Sequence, residues 1–225
     1  MNENEARAAI CAVGASLYGR GYVHATAGNI SVRLDDGSFL ITPTDACLGR
    51  LDAARLSHVG ADGRQFAGDK ASKTLALHRS IYKATEATGR AARCVLHTHS
   101  THTVALTLQP DARADAGELL PALTPYYVMK VGRVPVIPYH RPGDPMVAME
   151  VAQCIADYDQ RGLQLRAVML ERLGPNVWHD DPFAAAAVLE ELEETARLAL
   201  LDGGRTAPLG LAQIEELRAA FGAQW

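Results

Sequence analysis

Positive charge in excess and long apolar runs are both missing from this sequence. The 225 residues carry a formal net charge of -4, so no basic surface for nucleic acid or for an anionic membrane is indicated. No uninterrupted apolar run reaches the length that a membrane-spanning helix needs. These absences predict a protein without nucleic-acid or membrane partners, whose ligand is a small molecule.

Cysteine is scarce as well: the four residues are scattered and form no Cys-x-x-Cys pair. Their spacing differs from that of a secreted disulfide scaffold, and most lie in apolar or helical surroundings where reduced thiols pack as small core residues. The first five residues are acidic and begin a helical pattern, unlike a signal peptide. We therefore expect a cytoplasmic location.

The composition that remains is that of a globular protein, with 48% hydrophobic and 21% charged residues. It predicts one domain over residues 1–225 with a substantial core. Helical and strand patterns alternate along the chain, but two early hairpins, within 24–42 and 51–68, exclude a simple parallel sheet. The sequence therefore predicts an α/β fold, a three-layer α/β/α sandwich on a mixed, largely antiparallel central sheet.

Caps and periodicity set the expected limits of the other elements. Ser72, Asp144 and Asp181 are good N-cap residues, and proline follows each aspartate at the first helical position. Helices are expected to begin at these residues, and the last two are expected to end near residues 158 and 201. The remaining predictions are a helix over 3–20, a strand ending at 99, a helix around 104–108, a polar loop at 109–118, extended pieces over 124–139, a buried strand over 165–170 and a short amphipathic helix over 211–221.

Eight histidines form the first group of candidate functional residues. His97 and His99 lie two residues apart at the end of a predicted strand, where the side-chain period of two directs both imidazoles to the same face. Two imidazoles on one face can ligate zinc or another first-row divalent ion; two polar residues at a strand end are the alternative. His102 follows one helical turn later and can line the same pocket. His78, on an apolar helix face, is either a core residue or one that supports the metal site through a hydrogen bond.

Three turns with donors suited to an oxyanion form the second group. Glycine lets backbone amides face outward, hydroxyls donate, and a helix N-terminus favours negative charge, so converging turns can bind a phosphate. Read alone, each is also explained as an ordinary turn or cap. The candidate phosphate-binding residues are Gly28, Asn29, Thr44, Ser72 and Lys73.

Two adjacent tyrosines complete the candidates. The phenols of Tyr126 and Tyr127 can act as general acids, and packing at a strand or at a subunit contact is the alternative for one of the two. His58 stands apart from these groups and is predicted to be a surface residue or a satisfied core residue.

Longer motifs surround the candidates. They are Ala27-Gly28-Asn29-Ile30-Ser31, Thr42-Pro43-Thr44, Gly68-Asp69-Lys70 leading into Ser72-Lys73, His97-Thr98-His99-Ser100-Thr101-His102, and the stretches 123–129, 139–145 and 190–196. Together they resemble the class II aldolase/adducin family, which includes fuculose-phosphate aldolase and ribulose-phosphate epimerase. The similarity extends from the first helix to about residue 201, and the last three stretches look most like the branch of 3-oxo-tetronate 4-phosphate decarboxylases.

The resemblance implies a metal-dependent carbon-carbon lyase that acts on a phosphorylated sugar acid or sugar, through decarboxylation of a 3-oxo-tetronate 4-phosphate. In such a site the phosphate occupies the glycine and hydroxyl turns, and a divalent metal, usually zinc, is held here by His97 and His99. The metal stabilises an enediolate, to which a carboxylate or a tyrosine returns a proton. Tyr126, Tyr127 and His102 are the catalytic candidates, and a homotetramer is the implied assembly.

Two positions depart from the family pattern. Thr74 stands where family enzymes have the acid/base glutamate, and Leu173 stands where they have the third metal-binding histidine. The missing ligand has three candidate replacements, and the spacing selects none of them: His102, His140 and His179. The alternative function is therefore that of a catalytically impaired, adducin-like member with a binding or assembly role.

Overall fold

One mixed sheet organises the fold. The computed structural model describes residues 1–109 and 117–225. The strands in this part of the chain are β1 (Asn29–Arg33), β2 (Phe39–Ile41), β3 (Ser57–Val59), β4 (Gln65–Ala67), β5 (Cys94–His97), β6 (Val136–Ile137), β7 (Ala167–Leu170) and β8 (Gly174–His179). In space they follow the order β4-β3-β2-β1-β5-β8-β7-β6, and each neighbouring pair is antiparallel except β6 and β7, which are parallel.

Helices cover both faces of this sheet. In the described part of the chain they are α1 (Glu3–Gly19), α2 (Leu75–Ala87), α3 (Thr101–Leu108), α4 (Pro145–Gln160), α5 (Pro182–Asp202) and α6 (Leu211–Phe221). Ile10 of α1, Leu106 of α3 and Leu189 of α5 belong to one core, whereas Ile81 of α2 and Val151 of α4 belong to a second core. The predicted three-layer α/β/α sandwich on a mixed, largely antiparallel sheet is therefore confirmed. No helix within residues 1–109 or 117–225 is long and apolar enough to cross a bilayer.

Local sequence signals set most of the element boundaries. Asp144 caps α4 and Asp181 caps α5, each by accepting a hydrogen bond from a first-turn amide, with proline at the start of the helix. Gly203, at φ 63°, ends α5 in the left-handed conformation. Both predicted hairpins form, as β1–β2 and β3–β4. These predictions from turn and cap chemistry are confirmed.

Two predicted boundaries near the paired histidines are wrong. Ser72 does not cap α2, which begins at Leu75; its hydroxyl oxygen instead lies 2.6 Å from Oγ1 of Thr74. β5 ends at His97, so His99 lies beyond the strand. The differences arise because side-chain contacts within the turn before α2, and the start of α3 after β5, interrupt the regular elements.

The segment 124–139, predicted to be extended, is extended only in part. Tyr127–Val131 forms a π-helical turn, closed at its start by the hydrogen bond from the N–H of Tyr127 to Oγ1 of Thr124. Gly132, at φ 77°, ends the turn. β6 is the extended part of this segment. Elsewhere in the chain, β8 is a strand that the sequence patterns did not predict. The polar loop predicted at 109–118 lies mostly outside the described residues.

A buried carboxylate caps α3 from the neighbouring helix. Glu193 of α5 is 2% exposed and accepts hydrogen bonds from the backbone N–H groups of His102 at 2.8 Å and of Thr103 at 3.1 Å. Its Oε1 also lies 2.8 Å from Nδ1 of His102. A carboxylate at a helix N-terminus satisfies amides that have no acceptor within the helix. The contact fixes α3, and with it His102, against α5.

Glu193→Ala is expected to lower the free energy of unfolding by roughly 3 kcal/mol, because buried amides at the start of α3 lose their acceptor. Urea denaturation of the purified variant measures the loss. Glu194→Ala is the matched control, since Glu194 lies on the same helix and forms an exposed ion pair with Arg197 at 3.6 Å. Its expected loss is below about 1 kcal/mol. Equal losses in the two variants would contradict the capping role.

Candidate active site

A cavity of about 630 Å³ opens at the end of the sheet where β1 begins and β5 ends. The first turns of α2 and α4 line it, through Leu77 and Ala148. Two groups of predicted site residues also line it: the phosphate candidates Gly28, Asn29, Thr44, Ser72 and Lys73, and the metal candidates His97 and His99. The structure thus brings turns and histidines that are distant in sequence into one cavity.

His97 is held in one tautomer by the backbone. It is 3% exposed, and its Nδ1 lies 3.0 Å from the carbonyl oxygen of Pro175 in β8. Because that oxygen can only accept, Nδ1 carries the proton and Nε2 keeps its lone pair. Burial, and after it the nearby His99, lowers the pKa of His97 to about 3. The imidazole is therefore neutral at physiological pH and can offer Nε2 to a ligand.

His99 follows β5 and lines the same cavity. Its ring centroid lies 5.0 Å from that of His97 and 6.3 Å from that of the exposed His24. Burial, and after it the proximity of His24, lowers the pKa of His99. Two neutral imidazoles therefore lie side by side, and neutral imidazole is the form that binds a divalent ion.

Leu173 and Thr74 line the cavity together with His97 and His99. They occupy the positions where the family resemblance leads us to expect a histidine and a glutamate. Among residues 1–109 and 117–225, no three side chains of His, Cys, Asp or Glu are arranged to hold a metal ion together. The residues present thus fit a divalent ion through two imidazoles, and oxygens of water or substrate would have to complete its coordination.

Gly28 brings its turn directly against the backbone of β5. Its φ is +85°, and a Cβ at this position would lie 2.8 Å from both the carbonyl oxygen of His97 and Cγ1 of Val23. Asn29 follows; it is almost buried, and its Oδ1 has no hydrogen-bond partner among the described residues. The side-chain oxygen of Asn29 is therefore a buried acceptor at the cavity wall without a donor among the described residues.

Thr44 and Ser72 contact other protein atoms in this arrangement. Thr44 donates its backbone N–H to the carbonyl oxygen of Lys70 at 2.8 Å and its hydroxyl to that of Ala71 at 2.9 Å. Ser72 has its hydroxyl oxygen 2.6 Å from that of Thr74. These contacts join two loops into one wall of the cavity. A role for either hydroxyl in binding phosphate stays a prediction.

Two cationic side chains and two helix N-termini offer hydrogen-bond donors to an anion in the cavity, whose lining also contains the carboxylates Asp45, Asp144 and Glu171. Lys73 lines it and has no carboxylate partner among the residues that the structure describes. Arg141 also lines it, with Nε 3.6 Å from a carboxylate oxygen of Asp144. Ala76 and Ala148 lie in the first turns of α2 and α4, so two helix N-termini, each with amides that lack intrahelical acceptors, border the cavity. Such surroundings suit a phosphate ester.

The three predicted catalytic residues do not line this cavity in the part of the chain that the structure describes; they are Tyr126, Tyr127 and His102. Tyr126 is exposed, whereas Tyr127 is fully buried, with its ring 5.6 Å from that of Trp225 and its hydroxyl unpartnered among the described residues. Burial raises the pKa of Tyr127. His102 is held by Glu193 at the start of α3. Their catalytic roles stay predictions.

The cavity wall contains a histidine–carboxylate pair that the sequence did not predict. His140 lines the cavity, and its Nε2 lies 3.0 Å from Oε2 of Glu150 in α4. The sequence suggested His140 only as a candidate metal ligand, because nothing in the local pattern connects it to Glu150, ten residues later. Glu171 also lines the cavity and accepts a hydrogen bond from the N–H of Tyr139 at 3.0 Å.

His78 of α2 is a fully buried residue on the sheet side of its helix. Its Nδ1 lies 2.8 Å from the hydroxyl oxygen of Ser31 in β1, whereas its Nε2 has no partner among the described residues. Burial, and after it the neighbouring His97, lowers the pKa of His78 to about 3. The folded protein therefore holds this imidazole neutral across the physiological range.

We expect the free energy of unfolding to fall as the pH is lowered from about 6.5 to about 3. In this window the unfolded chain protonates His78 and the folded chain does not, so unfolding takes up a proton. Above the window the stabilisation is fully present. Urea denaturation near pH 7 and near pH 5 measures the change, and His78→Gln should make the dependence on pH shallower.

Tyr82→Phe is the control for this prediction. It removes the other hydroxyl that contacts Oγ of Ser31, at 2.7 Å, without removing an imidazole. The variant should be less stable than the wild type yet show the same dependence on pH. An unchanged pH dependence in His78→Gln would contradict the assignment.

The fold and the cavity together define a class of α/β protein, one with a histidine-lined cavity between two helix N-termini. The chain belongs to the class II aldolase and adducin family, since the profile for the N-terminal domain of that family matches residues 8–200. This membership confirms the family that the sequence motifs predicted.

Three relatives illustrate the similarity. The 3-oxo-tetronate 4-phosphate decarboxylase of Cupriavidus necator is 53% identical, over 99% of this chain and 99% of its own. The crystal structure of YgbL from Escherichia coli has a TM-score of 0.83 and 37% identity, covering 96% of this chain and 99% of that one. L-fuculose-1-phosphate aldolase from Thermus thermophilus has a TM-score of 0.70 and 27% identity, covering 90% and 97%. These relatives support an enzyme with lyase activity, as predicted.

Proposed function

We propose that the protein is a metal-dependent carbon-carbon lyase that decarboxylates a 3-oxo-tetronate 4-phosphate. The observation that carries this proposal is the cavity that joins His97 and His99 to the turns at Gly28, Thr44 and Ser72. The relative from Cupriavidus necator, 53% identical over 99% of both chains, is named for this reaction, which supports the choice of substrate.

The phosphate of the substrate would lie against Gly28, Asn29 and Lys73, near the N-terminus of α2. A lysine ammonium and unpaired helix amides both favour a phosphate dianion. Thr44 and Ser72 line the same wall and are the further candidates for contact with it. The rest of the four-carbon substrate then extends within the cavity towards the paired histidines.

His97, through Nε2, and His99 would hold a divalent ion, with zinc as the expected metal. The ion would supply Lewis-acid stabilisation of negative charge on the substrate oxygens. The chain keeps both imidazoles neutral and holds His97 in the tautomer that presents Nε2. Since only two protein ligands are proposed, we expect the ion to bind more weakly than at a site with three histidines.

Decarboxylation requires one bond to break and one proton to be returned. Cleavage of the bond between C1 and C2 releases carbon dioxide and leaves the electron pair on the unit formed by C2, C3 and the oxo oxygen. A proton must then reach C2, which gives a three-carbon ketose phosphate. Tyr126, Tyr127 and His102 are the donors that the sequence predicts. The exposed Tyr126 would serve the cavity of a neighbouring subunit.

We also propose a cytoplasmic homotetramer whose ligand is a phosphorylated small molecule, with no nucleic-acid or membrane partner. Burial between subunits would account for a set of large apolar side chains that are exposed in the single chain. Free thiols suit a reducing compartment, and all four cysteines are free. The exposed apolar residues include Phe183, Leu201, Leu211 and Phe221.

The test is to supply purified protein with zinc, manganese or cobalt and a 3-oxo-tetronate 4-phosphate. We expect release of carbon dioxide and formation of a three-carbon ketose phosphate. His97→Ala should lower the rate by about 100-fold or more, because charge stabilisation at the reacting oxygens depends on it. His58→Gln, outside the cavity, is the control with unchanged rate. No release of carbon dioxide with any of the three metals would contradict the proposal.

A binding or assembly role of the adducin type is the second candidate function. The observation that favours it is the presence of Thr74 and Leu173 in the cavity wall, since neither side chain can perform the role of the family's acid/base glutamate or metal-binding histidine. Calorimetry with the three-carbon ketose phosphate separates the two functions. Binding without turnover would favour the second candidate, whereas turnover that His97→Ala abolishes would exclude it.

A further inference from the structure

We propose that His140, oriented by Glu150, is the group that exchanges a proton with the substrate carbon, in place of the glutamate that Thr74 replaces. This inference rests on the proposed function, because it assigns one step of that decarboxylation. It makes His140 a catalytic residue and Glu150 a positioning residue. Neither was among the catalytic residues predicted from the sequence.

The position of His140 supports this role. It lies between β6 and α4 and lines the same cavity as His97, His99 and Thr74. Its side chain is 21% exposed, so it is largely buried yet still accessible to a ligand in the cavity. α4, which carries Glu150, is joined to α2 by the hydrogen bond from Ser80 Oγ to the carbonyl oxygen of Ala148 at 2.8 Å. Glu150, and with it His140, is therefore held in place by the packing of α4 against α2.

The contact with Glu150 also determines which ring nitrogen of His140 is left to exchange a proton with the substrate. Nε2 of His140 lies 3.0 Å from Oε2 of Glu150, and a carboxylate can only accept, so Nε2 carries a proton in this contact. Nδ1 has no hydrogen-bond partner among residues 1–109 and 117–225. It is thus the nitrogen left to take or give a proton, while the carboxylate stabilises the imidazolium that forms.

The step balances with no further reactant. After carbon dioxide leaves with C1, the electron pair of the broken bond resides on C2, C3 and the oxo oxygen. Nδ1–H of the His140 imidazolium gives its proton to C2, forming the new C–H bond and neutral His140. Solvent then returns a proton to Nδ1. Overall, one proton is consumed and one carbon dioxide is released.

Other groups in the cavity are less suited to this step. The Thr74 hydroxyl lies 2.6 Å from that of Ser72, and a threonine hydroxyl does not ionise at neutral pH. Glu171 lines the cavity and is the competing acid/base group; one of its oxygens accepts the N–H of Tyr139. His140, in contrast, has one ring nitrogen held by Glu150 and the other without a partner among the described residues, so the second nitrogen can take or give a proton.

The experiment follows solvent exchange at carbon. The zinc-supplied protein is incubated in deuterium oxide with 1,3-dihydroxypropan-2-one phosphate, the ketose phosphate that this decarboxylation forms, and NMR measures deuterium entering its hydroxymethyl group. We expect exchange in the wild type and a loss of roughly 100-fold in His140→Gln and His140→Ala. Added imidazole should restore exchange in His140→Ala. His58→Gln changes a matched histidine outside the cavity, with Nδ1 3.4 Å from a carboxylate oxygen of Glu3, and should exchange at the wild-type rate.

Glu150→Gln tests the positioning role. Removing a carboxylate beside an imidazole disfavours the imidazolium, so the acid limb of the exchange rate should move to lower pH. A purely structural role for Glu150 would lower the rate at every pH without moving that limb. The conservative change Glu150→Asp keeps a carboxylate and should move the acid limb part of the way back towards its wild-type pH.

Two other results would overturn the inference, and they are distinguishable. Wild-type release of carbon dioxide combined with normal exchange in both His140 variants would reject His140 and leave the proposed function standing; loss of exchange in Glu171→Gln would then assign the step to Glu171. A wild type that neither releases carbon dioxide nor exchanges deuterium would reject the proposed function and the role of His140 with it.

Discussion

Thr74→Glu combined with Leu173→His is expected to raise the affinity of the protein for zinc by on the order of 10,000-fold, about 100-fold for each of the two added ligands. Dividing the roughly 10–16 kcal/mol of a four-ligand zinc site over its ligands gives about 3 kcal/mol for each, or on the order of 100-fold in affinity. The double variant adds one imidazole and one carboxylate to the two imidazoles already present. It should therefore retain zinc through dialysis that strips the wild type.

The geometry of the cavity is the reason for expecting this gain. Thr74 and Leu173 line it together with His97 and His99, so the new donors would enter the same space. A carboxylate at position 74 would also stand at the N-terminus of α2, where negative charge is favoured. Leu173 donates its backbone N–H to the carbonyl oxygen of Leu170, which fixes the turn that carries its side chain.

Competition with a chromophoric chelator measures the zinc affinity, and elemental analysis gives the stoichiometry. Thr74→Gln combined with Leu173→Phe is the matched control, because it adds similar bulk without a carboxylate or an imidazole. The control should bind zinc as the wild type does. An affinity that stays at the wild-type value in the Glu/His variant would mean that the four side chains do not converge on one ion.

The parts of the fold and site that the sequence predicts are those with local signals. Asp144 before Pro145, like Asp181 before Pro182, predicts a helix start because capping acts within a single turn. The spacing of the paired histidines and the donors of the three turns identify side chains that do line one cavity. Their convergence follows from the antiparallel pairing of β1 with β5, which sets the start of one strand beside the end of the other.

Contacts between distant segments account for what the sequence did not predict. The π-helical turn Tyr127–Val131 packs its first ring against Trp225 at the other end of the chain, and no local periodicity encodes that contact. The carboxylate of Glu193 reaches His102 from another helix, which removes that histidine from the cavity lining. His140 likewise acquires its partner only when α4 forms beside the loop before it.

Gly174→Ala is expected to destabilise the protein by roughly 4 kcal/mol or more, lowering the Tm by about 8–16 °C. Gly174 begins β8 at φ +144°, a backbone conformation that residues with a side chain rarely adopt. A Cβ there would overlap the carbonyl oxygen of Thr98 and would lie 2.9 Å from its carbonyl carbon and 3.2 Å from Cα of His99. Because all three atoms are backbone, no side-chain rotation can relieve the overlap.

Gly89→Ala is the control, because it imposes a positive φ on alanine without any overlap with neighbouring backbone atoms. Gly89 also has a positive φ, +73°, but a Cβ at this position would meet nothing within 4 Å, so the expected loss is only about 1 kcal/mol. Thermal unfolding of the two variants measures the difference, which combines the close approach at Gly174 with its less accessible backbone angle, φ +144° against +73°. The backbone that Gly174 approaches carries His99. The folded fraction of Gly174→Ala should therefore also bind zinc more weakly than folded Gly89→Ala. Equal Tm values would show that the turn between β7 and β8 can shift to accommodate a Cβ without loss of stability. The close contact with the backbone beside His99 would then not be required for folding.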